Sequence, residues 1–233
     1  MRVQLKLGNY KILKIQVEES SEELGKKKHK YRNKEVKHMS APTKRARELY
    51  DQVLGIDKMM ISDFVYTDLS AILKHLDLPV TFSDLETLRS SQEDVLGTEK
   101  LLGFLFKKDG KYKIYIEKKE SPERQRFTIA HEIGHHYLGH LERSDNDYRI
   151  TREDEINKAQ IIFDRKGKDS SCDEKDANMF ASELLMPKPL VEYVYNLLFD
   201  VVKVATVFGV STGMAKKRLM ELGLIGYGQT ERI

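Results

Sequence analysis

The chain has 233 residues, enough for one sizeable domain with an appendage or for two small domains, and it can bury a core without a disulfide framework. The single cysteine, Cys172, excludes an internal bridge, and the lack of a signal-type pattern or of a run of about 18 apolar residues points to a soluble, cytoplasmic protein with no membrane partner. A third of the residues are charged, yet the net charge is only +3, so charge alone does not indicate a nucleic-acid partner.

The charge is unevenly placed: residues 1–45 hold thirteen Lys or Arg against five Asp or Glu. Apolar residues alternate at Val3, Leu5 and Leu7 and again at Leu13, Ile15 and Val17, with Gly8-Asn9 between, which predicts a small β-hairpin appendage. The basic run Lys26 to Lys37 reads as a solvated linker, with contact to nucleic acid or an acidic partner as its other use, so residues 1–42 stand apart. Ala46, Leu49, Tyr50, Val53 and Leu54 follow helical spacing up to Gly55, and Leu69, Ile72, Leu73 and Leu76 form a second helix before Pro79. Strands at about 101–107 and 111–117 flank Asp109-Gly110, a dipeptide suited to a tight hairpin turn. Strand 111–117 is the candidate for an exposed sheet edge to which substrate backbone could add.

Ser121 as N-cap, Pro122 at the first helical position and Glu123 at the positive end of the dipole open a helix that should run to about His136 or Leu138. Its apolar stripe is Phe127, Ala130, Gly134, Tyr137, Leu138 and Leu141, which places His131, Glu132 and His135 toward a different side. Residues 142–172 are polar and irregular apart from Ile161 to Phe163, and read equally as a lid or a plain surface loop. Another helix, about 173–186, ends at Pro187. The remainder is helical in pattern, with Phe208-Gly209-Val210-Ser211 as a turn between two amphipathic stretches and Gly223 closing the second.

His131-Glu132-Ile133-Gly134-His135 is an HExxH sequence. Residues four apart on a helix lie on one face with Cβ atoms about 5–6 Å apart, so two imidazoles can converge on one Zn²⁺. Glu132 lies beside them, placed to reach a metal-bound water as general base rather than to replace a ligand. With seven His in the chain, random order would give roughly 0.02 such sequences, so chance is a poor explanation. The residues leave the third ligand among several. Leu138 and Leu141 stand where a metzincin needs glycine and histidine, and His140 could contribute only if the helix breaks at Gly139. Cys172 is chemically able to bind zinc but uncommon as a ligand in a hydrolytic site of this kind. Glu174 is the better candidate, because it precedes Ala177, Ala181, Leu184 and Leu185 on an apolar helix side where an unpaired carboxylate is costly; a capping box with Ser171 is its other reading. Asn178, one turn on, could hydrogen-bond the second nitrogen of a ligand histidine. His140 and Tyr148 are both candidates for stabilising the oxyanion.

The stretch Pro122-Glu123-Arg124-Gln125-Arg126-Phe127-Thr128-Ile129-Ala130-His131-Glu132-Ile133-Gly134-His135, together with Glu174-Lys175-Asp176-Ala177-Asn178-Met179-Phe180-Ala181-Ser182-Glu183-Leu184-Leu185-Met186-Pro187, resembles the ImmA/IrrE family of metallo-endopeptidases over residues 43–225. The resemblance implies an α+β, zincin-like domain at 43–190, with a small mixed sheet packed on the HExxH helix, and a short helix-turn-helix-like tail at 191–233. It further implies Glu174 as third zinc ligand, Asn178 beside the ligands, and a helix-turn-helix transcriptional repressor as protein substrate. Asp176 where a second glutamate is frequent, His136 after the motif, and the amino-terminal hairpin depart from the family pattern. Two other functions fit the residues. One is a DNA-binding or repressor-binding regulator with a structural or sensory metal, its tail contacting DNA through Lys216, Lys217 and Arg218; the other is a toxin-antitoxin component acting by association.

Overall fold

The computed structural model describes residues 3–7, 13–17, 39–56, 66–91, 99–143, 147–153 and 172–226. The basic run 26–37, Ser171 and the apolar run Ile161 to Phe163 lie outside them. The chain divides into two compact units, residues 68–184 and residues 1–67 with 185–233.

The unit spanning residues 68–184 carries the HExxH sequence. Strands β3 (Val80–Ser83), β4 (Leu101–Lys108), β5 (Lys111–Glu117) and β6 (Tyr148–Arg152) form a four-stranded mixed sheet in the order β3-β5-β4-β6. β4 and β5 make the predicted hairpin, and its two turn residues take the positive φ angles such a turn demands, 51° at Asp109 and 74° at Gly110. β3 runs parallel to β5, and β6 antiparallel to β4. The predicted edge role of 111–117 is therefore corrected: β5 is hydrogen-bonded on both sides. The reason is non-local, since β3 pairs with β5 across about thirty residues and nothing near 111–117 announces it.

The polar stretch after residue 142 also needs correction, because it contains β6 as an edge strand of the sheet. The described residues of the unit also form four helices: α2 (Leu69–His75), α3 (Leu85–Ser91), α4 (Pro122–Tyr137) and α5 (Cys172–Leu185). α3 opens on the buried Glu117 carboxylate, whose Oε2 accepts the backbone N–H groups of Leu85 at 2.7 Å and Glu86 at 3.2 Å. These are helix-end donors that would otherwise be unsatisfied. Leu101, Leu102, Leu105, Ile114 and Ile116 on the sheet are buried, as are Ile129 and Ile133 on α4 and Ala177, Phe180 and Leu184 on α5. At roughly 1.5–3 kcal/mol for each large apolar side chain taken out of water, such a core supplies the main drive for ordering these elements.

The other unit contains the hairpin β1 (Val3–Leu7) and β2 (Leu13–Val17), paired antiparallel from Val3↔Val17 to Leu7↔Leu13, and α1 (Ala41–Val53). α6 (Lys188–Leu198), α7 (Val201–Phe208) and α8 (Thr212–Glu221) follow from the carboxyl-terminal part. The predicted turn lies between α7 and α8, with Gly209 at φ 64° ending one helix and Ser211 accepting the Met214 N–H at 3.2 Å to open the next. Of the basic trio on α8, Arg218 is buried and its Nε donates to the Met186 carbonyl at 3.1 Å. Lys217 is half-buried beside Glu221, so Lys216 alone of the three is exposed.

Candidate metal centre

α4 begins as its sequence dictates. Ser121 Oγ accepts the Arg124 N–H at 3.3 Å, and Pro122 occupies a position where no amide hydrogen is needed. The apolar stripe is not the more buried part of the helix. Phe127, Tyr137 and Leu138 are only half-buried, whereas everything from Thr128 to His135 is buried. The polar side of α4 faces partners supplied by α5 and β6, which is why burial of its charges is tolerated.

The spacing between α4 and α5 is set by Gly134. A Cβ there would stand 3.2 Å from Ala177 Cα, from the Ala177 carbonyl oxygen and from Phe180 Cδ1. Glycine on one helix against alanine on the other brings the two backbones close. Glu174, three residues before Ala177, then reaches both His131 and His135, and Asn178, the residue after Ala177, reaches His131.

His131 Nε2 and His135 Nε2 lie 2.9 Å apart. Glu174 Oε2 lies 3.2 Å from His131 Nε2, and Glu174 Oε1 lies 3.4 Å from His135 Nε2. Among the described residues this is the one group of metal-ligating side chains brought together, with donor atoms all within 4.8 Å of one another. A tetrahedral ion with bonds of about 2.0–2.1 Å separates its ligand atoms by about 3.3 Å, so the set fits a zinc-sized cation. The chemistry of the donors agrees. Asn178 Oδ1 sits 3.1 Å from His131 Nδ1, so Nδ1 is the N–H that donates and Nε2 presents a lone pair. His135 Nδ1 is 2.8 Å from His140 Nδ1, and donation from the first to the second leaves His135 Nε2 bare as well. Two imidazole lone pairs and a carboxylate directed at one buried spot repel one another unless a cation stands between them.

Electrostatics express the same demand. Burial opposes charge on Glu174, but proton-bearing imidazoles at His131 and His135, standing where a cation would, outweigh it and hold the carboxyl well below the usual carboxylate range. Burial together with the neighbouring His131 pushes His135 down to about 3. Glu132 is fully buried, and burial raises its carboxyl to about 7, partly offset by His131 and by the Thr151 hydroxyl. Thr151 Oγ1 donates to Glu132 Oε1 at 2.6 Å, while Glu132 Oε2 is buried with no hydrogen-bond partner among the described residues. A buried carboxylate oxygen left bare costs on the order of 1–3 kcal/mol or more and calls for an explanation in terms of water or an ion.

The remaining sequence candidates fall in different places. Gly139, at φ 70°, breaks the helix, and His140 folds back behind His135 on the Nδ1 side rather than into the space between the ligand nitrogens. Tyr148, at the start of β6, is 38% exposed, and Cys172 is exposed. His136 packs edge-on to Tyr112, away from the ligand group. Sequence reasoning missed Arg149 and Thr151. Arg149 donates from Nε at 3.1 Å and Nη2 at 3.0 Å to Glu174 Oε1, and from Nη1 at 3.1 Å to Asp173 Oδ2. The available signal was the alternation Arg149, Thr151 against Tyr148, Ile150, with the polar pair on one strand face.

A family model described as the IrrE N-terminal-like domain, a peptidase family, matches residues 74–220. The match covers more than half of the chain, which therefore belongs to that metallopeptidase family. A search of curated proteins gives no match. Among the described residues no helix is long and apolar enough to cross a membrane.

Proposed function

We propose that this member of the IrrE N-terminal-like family is a cytoplasmic zinc endopeptidase that cleaves a helix-turn-helix transcriptional repressor. In this reading His131, His135 and Glu174 hold the ion and Glu132 is the general base. The observation that carries it is the convergence of two imidazole lone pairs and one carboxylate on a single buried point, with a second buried carboxylate at the neighbouring position on the same helix. When bound, the cation acidifies water and polarises the scissile carbonyl. Glu132 Oε2, the oxygen without a partner, takes the proton from the attacking water as it adds to the carbonyl carbon. The same oxygen then returns that proton to the departing amine as the C–N bond breaks, so the carboxylate is regenerated. Asn178 and His140 keep the tautomers in which Nε2 of each ligand histidine is unprotonated.

Substrate backbone adds to β6 rather than β5 in this reading, since among the described residues β6 is paired only with β4 and its side chains touch the site. The repressor as substrate rests on the family resemblance. The test is to incubate the chain, loaded with one equivalent of Zn²⁺, with helix-turn-helix repressors from its own source, starting with any encoded beside it, and to follow fragments by mass spectrometry. Wild type should give two fragments. Glu132→Gln should bind zinc equally and lose at least ~10²-fold in turnover. Cleavage by Glu132→Gln at the wild-type rate would overturn the mechanism.

A further inference from the structure

Strand β6 is short, polar and one residue out of step with its partner, the register shifting between Leu101 and Gly103 of β4. Irregularities of this kind re-aim side chains near functional sites. Arg149 and Thr151 are two residues apart and so share a face. That face points at the two carboxylates of the site. Thr151 lies opposite Gly103, where a Cβ would stand 2.7 Å from Thr128 Cγ2 of α4, and its buried hydroxyl reaches Glu132.

The two contacts share a pattern. Thr151 Oγ1 takes Glu132 Oε1 and leaves Oε2 bare. Arg149 directs both Nε and Nη2 at Glu174 Oε1, while Glu174 Oε2 faces His131 Nε2 at 3.2 Å. In each case the hydrogen bonds from β6 go to one carboxylate oxygen, Oε1, although Glu174 Oε1 also lies 3.4 Å from His135 Nε2. A carboxylate has two chemically identical oxygens and a soft terminal torsion, so an untethered one rotates and offers either or both. Tethering makes them unequal. For Glu132 it aims one proton acceptor at the water. For Glu174 it favours one-oxygen over two-oxygen ligation, which keeps a coordination position open, as a hydrolytic zinc site requires. Arg149 is itself held by Nη1 on Asp173 Oδ2, a residue that also lies 3.8 Å from His140 Nε2, so its fork is oriented from both sides.

We propose that β6 is a positioning strand that assigns the oxygens of both site carboxylates, Thr151 aiming Glu132 for proton transfer and Arg149 confining Glu174 to single-oxygen ligation. This rests on the roles proposed above for Glu132 and Glu174. It makes the two residues separable: loss of Thr151 should damage turnover and spare metal binding, whereas loss of Arg149 should damage metal binding first.

The experiment uses the full chain and four variants, Thr151→Val, Thr151→Ser, Arg149→Met and Arg149→Lys. Zinc affinity is measured by competition with a chromogenic chelator, which needs no substrate, and kcat and KM with fluorescently labelled casein. Thr151→Val, which keeps the shape and removes the donor, should bind Zn²⁺ within twofold of wild type and lose about 10–100-fold in kcat at unchanged KM. Thr151→Ser should recover most of that rate. Arg149→Met should raise the zinc dissociation constant about 10–100-fold, with Arg149→Lys between it and wild type because an ammonium cannot hold two carboxylates as a fork does. If both hydrophobic variants lose zinc affinity and rate in parallel, β6 acts only as scaffold and the proposal is overturned. It also fails if Arg149→Met binds zinc as wild type does, or if Thr151→Val retains full kcat. Failure of the underlying reading has a different signature: a wild-type chain that binds no zinc, or a Glu132→Gln variant as active as wild type.

Discussion

Gly134→Ala sets helix propensity against packing, and the structure decides between them. In an exposed helix interior this change stabilises by about 1 kcal/mol. Here the new Cβ would meet three atoms at 3.2 Å, and two of them, Ala177 Cα and the Ala177 carbonyl oxygen, are backbone of α5 and cannot rotate away. Overpacking of this kind costs about 1–3 kcal/mol, and rigid neighbours push the figure toward the upper half, so a net loss of about 1 kcal/mol is expected. At about 2–4 °C per kcal/mol for a chain of this size, Tm of the metal-free protein should fall by that amount. Gly134→Val should fall further, because β-branching removes much of the propensity gain and adds more volume to the contact. Relief comes by moving α5 a few tenths of an ångström outward, which carries Glu174 away from His131 and His135, so zinc affinity should fall in the same order. The assays are thermal unfolding followed by circular dichroism and chelator competition. A Gly134→Ala protein that melts at or above wild type and binds zinc undiminished would refute the close approach of the two helices and the account of how Glu174 reaches the histidines.

Two further outcomes follow from the same geometry. Chelation should lower Tm by about 5–10 °C relative to protein at free zinc one hundred times its dissociation constant, since binding at that level contributes about 2.7 kcal/mol; identical melting with and without zinc would show that no ion links α4 to α5. Asn178→Leu removes the acceptor 3.1 Å from His131 Nδ1 and should weaken zinc binding about 10–100-fold, read by chelator competition, without shifting the melting of the metal-free chain downward by more than a few degrees.

The site was more legible than the sheet that supports it, because its signals are local. HExxH on a helix opened by Ser121-Pro122 names its own face and start, and Asp109-Gly110 names its own turn. Glu174 as a member of the group could be argued only from the cost of an acid on an apolar helix side. β6 was hidden for a physical reason. A strand is recognised by an apolar inward face, and the inward face of β6 carries Arg149 and Thr151 because it meets carboxylates instead of a core. The central position of β5 was hidden differently. Its outer-face residues Lys113 and Tyr115 suggest a half-exposed strand, and the parallel partner β3 is a four-residue segment whose Phe82 is 52% exposed. The burial of the polar side of α4 was hidden because periodicity measures apolar residues and cannot register polar groups that bury one another.

The carboxyl end of α4 joins backbone geometry to the proposed metal site. Leu138 caps the helix, Gly139 takes a left-handed φ of 70°, the Gly139 N–H donates to the His136 carbonyl at 3.1 Å, and the His140 N–H donates to the His135 carbonyl at 3.0 Å. This is the Schellman pattern, in which the side chain after the glycine commonly makes an apolar contact with the residue whose carbonyl it caps. Here that contact is between imidazoles, with ring centroids 4.9 Å apart and Nδ1 atoms 2.8 Å apart. On a continuing helix His140 would have pointed about 140° away from His135, so a glycine able to take the left-handed conformation is what delivers it. Burial lowers His140 to about 4, which keeps the ring neutral and able to accept from His135 Nδ1 near neutral pH. His140→Leu retains the apolar part of the cap and deletes the acceptor. It should leave Tm of the metal-free protein within a few degrees of wild type, since a buried polar group has been replaced by an apolar one of similar size. Zinc affinity should drop about 10–100-fold, because His135 can then turn its proton-bearing nitrogen toward the centre. Gly139→Ala should produce the same loss of affinity by a different route, at a cost of about 1–2 kcal/mol in stability from forcing a Cβ into the left-handed region. Undiminished zinc binding by His140→Leu would mean that the imidazole pair is a packing contact of the helix cap and that the tautomer of His135 is fixed by the ion alone.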